Sequence, residues 1–144
     1  VSTPGLPTGK SDAVVELVDI YPTVCELTGQ AIPNKVQGTS LVPLLNRTSQ
    51  QIKAGALSFN NGFSLRTPDW HYMHYTDGSR ELYDMKSDPG EFTNLAQKPG
   101  TTSRMQQMEN VLQTRLKEAG IKPKTKNSNN RKNKQTPKSD SNGK

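Results

Sequence analysis

The sequence predicts an α+β chain in which a small four-stranded antiparallel sheet carries a packed C-terminal helix, and short helical elements precede the sheet. Three observations lead there. Four strand-like runs separated by turn residues occupy positions 54–85; one apolar stripe at helical spacing follows near 104–119; and two brief helical patterns, each marked by proline, lie before residue 53.

The first helix is predicted within Glu16 to Thr28, where Val18, Tyr21, Val24, Cys25 and Leu27 recur at helical spacing and Gly29 offers a left-handed stop. Pro22 removes one backbone donor. The regular part therefore either begins near Asp19, which would cap it and put Pro22 in the first turn, or bends at the proline. A second short helix is predicted in SLVPLLN, with Ser40 as cap, Pro43 in the first turn, and Leu41, Leu44 and Leu45 toward the core.

The strands follow. AGALSF and FSLRT flank Asn60-Asn61-Gly62, whose residues tolerate positive φ, so they read as a hairpin. WHYMHYT alternates strictly, with Trp70, Tyr72 and His74 on one face and His71, Met73 and Tyr75 on the other. Asp77-Gly78-Ser79 then turns the chain into RELYDM, and SDPGE closes the sheet, its proline and glycine setting the turn dihedrals. The last helix is predicted from about Arg104 to Ala119, opened by a capping box of Ser103 with Gln106 and closed by Gly120. Its stripe of Met105, Met108, Val111, Leu112, Leu116 and Ala119 should cover the sheet.

Charge separates the end of the chain from the rest. Residues 121–144 hold eight Lys and Arg against Asp140, a net +7, while the first 120 residues carry eleven basic and twelve acidic side chains, a net −1. The overall +6 therefore gives the folded part no basic face for nucleic acid. The tail is too polar to bury enough apolar area to offset its ordering entropy and is expected to be disordered, capable of weak contact with polyanions. No run approaches the roughly 18 to 20 apolar residues of a membrane span. The opening VSTPGLPTGK has neither the charged nor the apolar region of a signal peptide, and further sequence is expected upstream of Val1.

Candidate chemistry is sparse. Cys25 has neither a C-x-x-C partner nor zinc spacing and reads as a small buried hydrophobe. His71 and His74 are three apart in one strand and so point to opposite faces, which excludes a shared ion; each reads as a surface or structural group, with a pocket-lining role as the alternative. Glu81, Asp84, Asp88 and Glu91 gather around a turn without EF-hand spacing and read as solvated or paired with neighbours such as Arg80 and Lys86. Asn46-Arg47-Thr48 matches a glycosylation sequon, a three-residue pattern too short to decide anything.

Three stretches, in order, resemble one family. VELVDIYPTVCELTG (Val15 to Gly29) resembles the Val-Asp-Ile/Leu-x-Pro-Thr helix of type I sulfatases, and VQGTSLVPLL (Val36 to Leu45) resembles their Gln-Gly-x-Ser-Leu-x-Pro-Leu-Leu turn. Phe63 to Ala96 resembles their Arg-Thr strand, Asp-Gly hairpin, Glu-Leu-Tyr-Asp strand and Asp-Pro-x-Glu-x-x-Asn-Leu ending, nearest to iduronate-2-sulfatase-like and choline-sulfatase-like members of this branch of the alkaline-phosphatase superfamily.

That resemblance implies the C-terminal part of an α/β sulfuric ester hydrolase. Residues 1–14 would form a loop, 15–53 the edge of the main domain, 54–120 a C-terminal subdomain that walls the substrate pocket, and 121–144 the basic tail. It also implies a parent enzyme, periplasmic or secreted, that uses calcium and a formylglycine made in a Cys/Ser-x-Pro-x-Arg motif. Cys25 is followed by Glu26, Leu27 and Thr28, so no catalytic or metal residue is carried over, and the chain alone is expected to be inactive, its partner being the N-terminal sulfatase domain. The competing readings are a non-catalytic α+β module that holds polyanions through its tail, and a phosphate-ester or phosphonate hydrolase relative.

Overall fold

The computed structural model describes residues 4–47 and 49–121; the expected disordered tail and Thr48 of the sequon lie outside the described residues, apart from Ile121 at the tail's start. A 3-10 turn at Leu17–Asp19 leads into α1 (Ile20–Leu27), followed by the single turn α2 (Val42–Leu45). Strands β1 (Ala56–Phe59), β2 (Gly62–Arg66), β3 (Trp70–Tyr75) and β4 (Arg80–Asp84) form an antiparallel meander in sequence order, and α3 (Thr102–Glu118) packs on one face.

Alternation in the strands decides the core. Leu65, Tyr72 and Leu82 are cross-strand partners on the inner face and meet Met108, Leu112 and Leu116 of α3. All six are buried, and burying each such side chain contributes roughly 1.5–3 kcal/mol. Leu57, Phe63, Trp70, Met105 and Val111 pack around them. Arg104 lies 4.6 Å from the centre of the Trp70 ring, a cation–π contact at the start of α3.

The turns differ in detail from the sequence reading. In the first hairpin Asn61 takes the positive φ (55°), whereas Gly62 is a strand residue against which β3 closes tightly: a Cβ there would lie 2.6 Å from Tyr75 Cα. The turn after β4 places the left-handed residue at Glu91 (φ 57°) and not at Gly90, because both oxygens of Asp88 hold the backbone beyond it, through the N–H groups of Phe92 (3.0 Å) and Thr93 (2.8 Å). The capping box expected for α3 is absent. The helix starts one turn-fraction earlier, with Thr101 at the cap position and Ser103 already inside, and the Thr101 hydroxyl donates back to the carbonyls of Leu95 and Lys98. Its C-terminus ends as expected: Gly120 (φ 68°) lets Gly120 N–H reach Lys117 O and Ile121 N–H reach Leu116 O, a Schellman closure.

Asp19 sits at the cap position of α1, with Pro22 in the first turn, yet its carboxylate does not cap the helix. It is fully buried and accepts from Thr39 N–H (2.8 Å), Glu16 N–H (2.8 Å) and Lys53 Nζ (2.6 and 2.7 Å). Glu16 also pairs with Lys53 and with Arg115 of α3, and Arg115 Nε donates to Gly55 O. This buried ionic cluster ties the helical segment before residue 53 to the sheet and α3. Burial alone would push the Asp19 carboxyl up, but Lys53 and the two N–H donors outweigh it and hold the group below its ordinary value.

The same cluster occupies one sheet edge, since Leu57 N–H donates to Glu16 Oε1 (2.7 Å). At the other edge Leu82 N–H donates to Asn94 Oδ1 and Leu95 N–H to Leu82 O. The chain itself thus covers the β4 edge along Arg80 to Asp84 and holds the β1 edge at Leu57.

Outside this unit the helical segment leaves apolar surface in water. Leu17 is 86% exposed, and Val15, Val18, Ile20, Tyr21 and Val24 are each about half exposed. Leu41 is buried, as its core-facing position predicts, with its N–H bound to Thr23 Oγ1, while Leu44 and Leu45 are partly buried.

Candidate functional site

The two histidines of β3 separate as their spacing requires. His71 lies on the outer face, opposite α3, and His74 on the helix side. His74 Nδ1 is 3.1 Å from Glu109 Oε2, the oxygen that also accepts the Tyr72 hydroxyl at 2.7 Å, while Gln113 Nε2 donates to Oε1. Burial opposes ionisation of Glu109, but the Tyr72 and Gln113 donors and the charges of His74 and Arg80 win, holding the carboxyl below its usual range. Burial, helped by that carboxylate, pushes the Tyr72 phenol well up. This cluster ties α3 to β3.

On the outer face the register sets Arg66 opposite His71 and Ser64 opposite Met73, so Ser64 and His71 are diagonal neighbours on adjacent strands. Ser64 Oγ is 2.6 Å from His71 Nε2, and His71 Nδ1 is 2.8 Å from Glu91 Oε1. A carboxylate only accepts, so Nδ1 donates to Glu91, and in the neutral imidazole this leaves Nε2 as the acceptor for the serine hydroxyl. Glu91 reaches His71 because the Asp88-held turn reverses the chain over β3. The Tyr83 ring lies 6.4 Å from the imidazole, and its hydroxyl donates to Glu81 Oε2, which also accepts from Tyr75. Burial and then Glu81 push the Tyr83 phenol up to about 12.

The four turn carboxylates thus do separate things. Glu81 serves two tyrosines; Asp84 caps the N–H groups of Lys86 and Ser87; Asp88 holds the next turn; Glu91 pairs with His71. Asp84 meets Lys86 through its backbone N–H, while the Lys86 ammonium goes to Asp69 at 2.9 Å. Ser64 escaped the sequence reading. Its signal was the hairpin register, which puts the serine of FSLRT beside the first histidine of WHYMHYT.

Among the described residues no group of three His, Cys, Asp or Glu side chains could hold a metal ion. Cys25 is buried in α1 and precedes Glu26-Leu27-Thr28. The described residues therefore fit neither the calcium site nor the formylglycine precursor that the resemblance implies. No described helix is long and apolar enough to cross a membrane.

A four-stranded antiparallel meander backed by one C-terminal helix is a fold this chain shares with part of the solved sulfatase structures. The chain belongs to the N-sulphoglucosamine sulphohydrolase C-terminal family, whose pattern matches residues 2–119. It is similar to human arylsulfatase K, with 37% identity over 113 residues, which are 66% of this chain and 21% of that protein. It is also similar to the Delta 4,5-hexuronate-2-O-sulfatase of Bacteroides thetaiotaomicron, 39% identical over 94 residues, covering 57% of this chain and 19% of that one. Among solved structures, a 2-O GAG sulfatase superposes with a TM-score of 0.62 at 31% identity, covering 71% of this chain and 24% of the other. A phosphonate monoester hydrolase from Silicibacter pomeroyi superposes at 0.67, covering 81% and 28%, but at 22% identity that likeness concerns the fold alone. The chain spans about a fifth of the length of the curated relatives it matches.

Proposed function

We propose that this chain is the C-terminal portion of a sulfuric ester hydrolase, that it completes the fold of the catalytic domain and walls its substrate pocket, and that it supplies neither nucleophile nor metal ligand. The observation that carries this is the apolar edge from Val15 to Val24. Six apolar side chains in a row of ten residues face water beside a groove of about 560 Å³ floored by Leu57 and Phe63, a surface that needs a partner domain. The 2-O specificity in the names of two relatives supports a sugar 2-O-sulfate as substrate, in keeping with an iduronate-2-sulfatase-like assignment. Calcium and formylglycine would be held by the catalytic domain, whose chemistry requires a hydrated aldehyde nucleophile beside a charge-stabilising metal. The second reading, a module that holds polyanions, is favoured only by the +7 of residues 121–144.

The experiment compares aryl-sulfate turnover by the purified chain with that of a protein joining it to an upstream sulfatase domain, both supplied with calcium and formylglycine-generating enzyme. Activity in the joined protein alone is expected. Turnover by the short chain that is abolished by Cys25→Ala would overturn the proposal.

A further inference from the structure

The outer face of the sheet carries a chain of groups that a wall or a scaffold does not need: a serine hydroxyl, an imidazole and a carboxylate in line, at 2.6 Å and 2.8 Å. Each member comes from a different element, β2, β3 and the turn after β4, and each is fixed by that element's own geometry. Ser64 and His71 are held by strand register, and Glu91 by a left-handed backbone that Asp88 secures from the far side of the turn. The inner face is sealed by α3, while Ser64, His71 and Glu91 are all only partly buried.

We propose that Ser64 is an activated nucleophile, a site of acyl or phosphonyl transfer independent of any sulfatase centre. An alkyl hydroxyl is a weak nucleophile until a neighbouring base takes its proton as the new bond forms. Here His71 Nε2 is that base, and Glu91, through the Nδ1 hydrogen bond, fixes the tautomer and stabilises the imidazolium. The substrate class is an activated carboxylic ester. Ser64 Oγ attacks the carbonyl carbon while its proton passes to Nε2; the carbon–oxygen bond to the leaving group breaks; and the imidazolium returns that proton to the departing oxygen, leaving acyl-serine and an alcohol. With a fluorophosphonate the same attack falls on phosphorus, fluoride departs and the proton goes to the buffer. Arg66, opposite His71 on the same face, brings a cation to the side of the sheet where the oxyanion forms.

The face contains its own control. Ser58 is the cross-strand partner of Ser64, lies on the same face and is more exposed, but no histidine is bonded to it among the described residues. If accessibility governs labelling, Ser58 reacts at least as well; if the hydrogen-bonded chain governs it, Ser64 reacts alone.

The full chain is treated with a fluorophosphonate, and adducts are mapped by peptide mass spectrometry in the wild type, Ser64→Ala, His71→Gln and Glu91→Gln, with circular dichroism as the folding check. The expected result is an adduct on Ser64 at least about 10-fold above Ser58, lost in His71→Gln and reduced several-fold in Glu91→Gln, as removal of base or orienting acid demands. Equal labelling of Ser58 and Ser64, no labelling of Ser64, or labelling that survives His71→Gln would overturn the proposal. Should His71→Gln lose its fold, the Ser64-to-Ser58 ratio in the wild type and the Glu91→Gln rate decide the matter by the same criteria.

Discussion

Replacing Lys53 by methionine removes one cation and leaves two carboxylates in place. In the folded chain the Lys53 side chain is 2% exposed and its ammonium donates to both oxygens of Asp19 and to Glu16. Glu16 keeps Arg115 and Leu57 N–H, and Asp19 keeps the N–H groups of Thr39 and Glu16, but Asp19 loses its counter-charge while fully buried. Breaking a buried ion pair from one side costs about 3–5 kcal/mol. The surviving hydrogen bonds set the expected cost at the lower end, about 3 kcal/mol, which is a large share of the 5–15 kcal/mol that holds a typical domain. In urea, at about 1.5 kcal/mol per molar, the midpoint should fall by about 2 M. Acid supplies a second reading. The depressed Asp19 carboxyl contributes stability above its ordinary value of 3.8, and that contribution is lost as pH falls through the lower folded value. In Lys53→Met the carboxyl loses the lysine's hydrogen bond and charge, so its folded value rises relative to the wild type and acid costs the variant less. The gap between wild type and variant should therefore be widest at neutral pH and narrow below about pH 4. A midpoint shift under about 0.5 M at neutral pH, or a gap that does not change with pH, would refute the reasoning.

Gly62→Ala should cost about 2 kcal/mol or more, read as a lower urea midpoint, because its Cβ would meet Tyr75 Cα at 2.6 Å and His74 O at 2.7 Å, backbone atoms that can yield only by opening the β2–β3 pairing. A chain ending at Gly120 should keep its circular dichroism spectrum and lose heparin retention that the full chain shows at low salt, since +7 over the last residues attracts anions without an apolar anchor; equal retention of the two would reject the contact.

What the sequence made legible was whatever depends on neighbours in the chain. Strict alternation in WHYMHYT separated His71 from His74, Gly120 ended α3, and Asp77-Gly78 turned β3 into β4, all within a few residues of the cause. What it hid depends on distant partners. Asp19 looked like a cap because capping is local, whereas its carboxylate is claimed by Thr39 and Lys53, 20 and 34 residues away. Thr101 in place of Ser103 at the start of α3 follows from the chain's return past Leu95, and the left-handed Glu91 from the grip of Asp88. Periodicity alone could not show that Val15, Leu17, Val18, Ile20, Tyr21 and Val24 stay exposed, since what covers a helix face is not written in its own spacing; the expectation that residues 15–53 edge a larger domain came from the family resemblance.

The β4 edge of the sheet limits how this unit can grow. With Arg80 O and both Leu82 backbone groups engaged by Asn94 and Leu95, and Asp84 O by Asp88 N–H, that border offers no free ladder along which a fifth strand would zip. Strand donation or domain exchange through β4 begins by breaking bonds the chain has already made. At β1 the chain engages Leu57 N–H through Glu16, so a strand that joined there would have to displace the buried ionic cluster from that position.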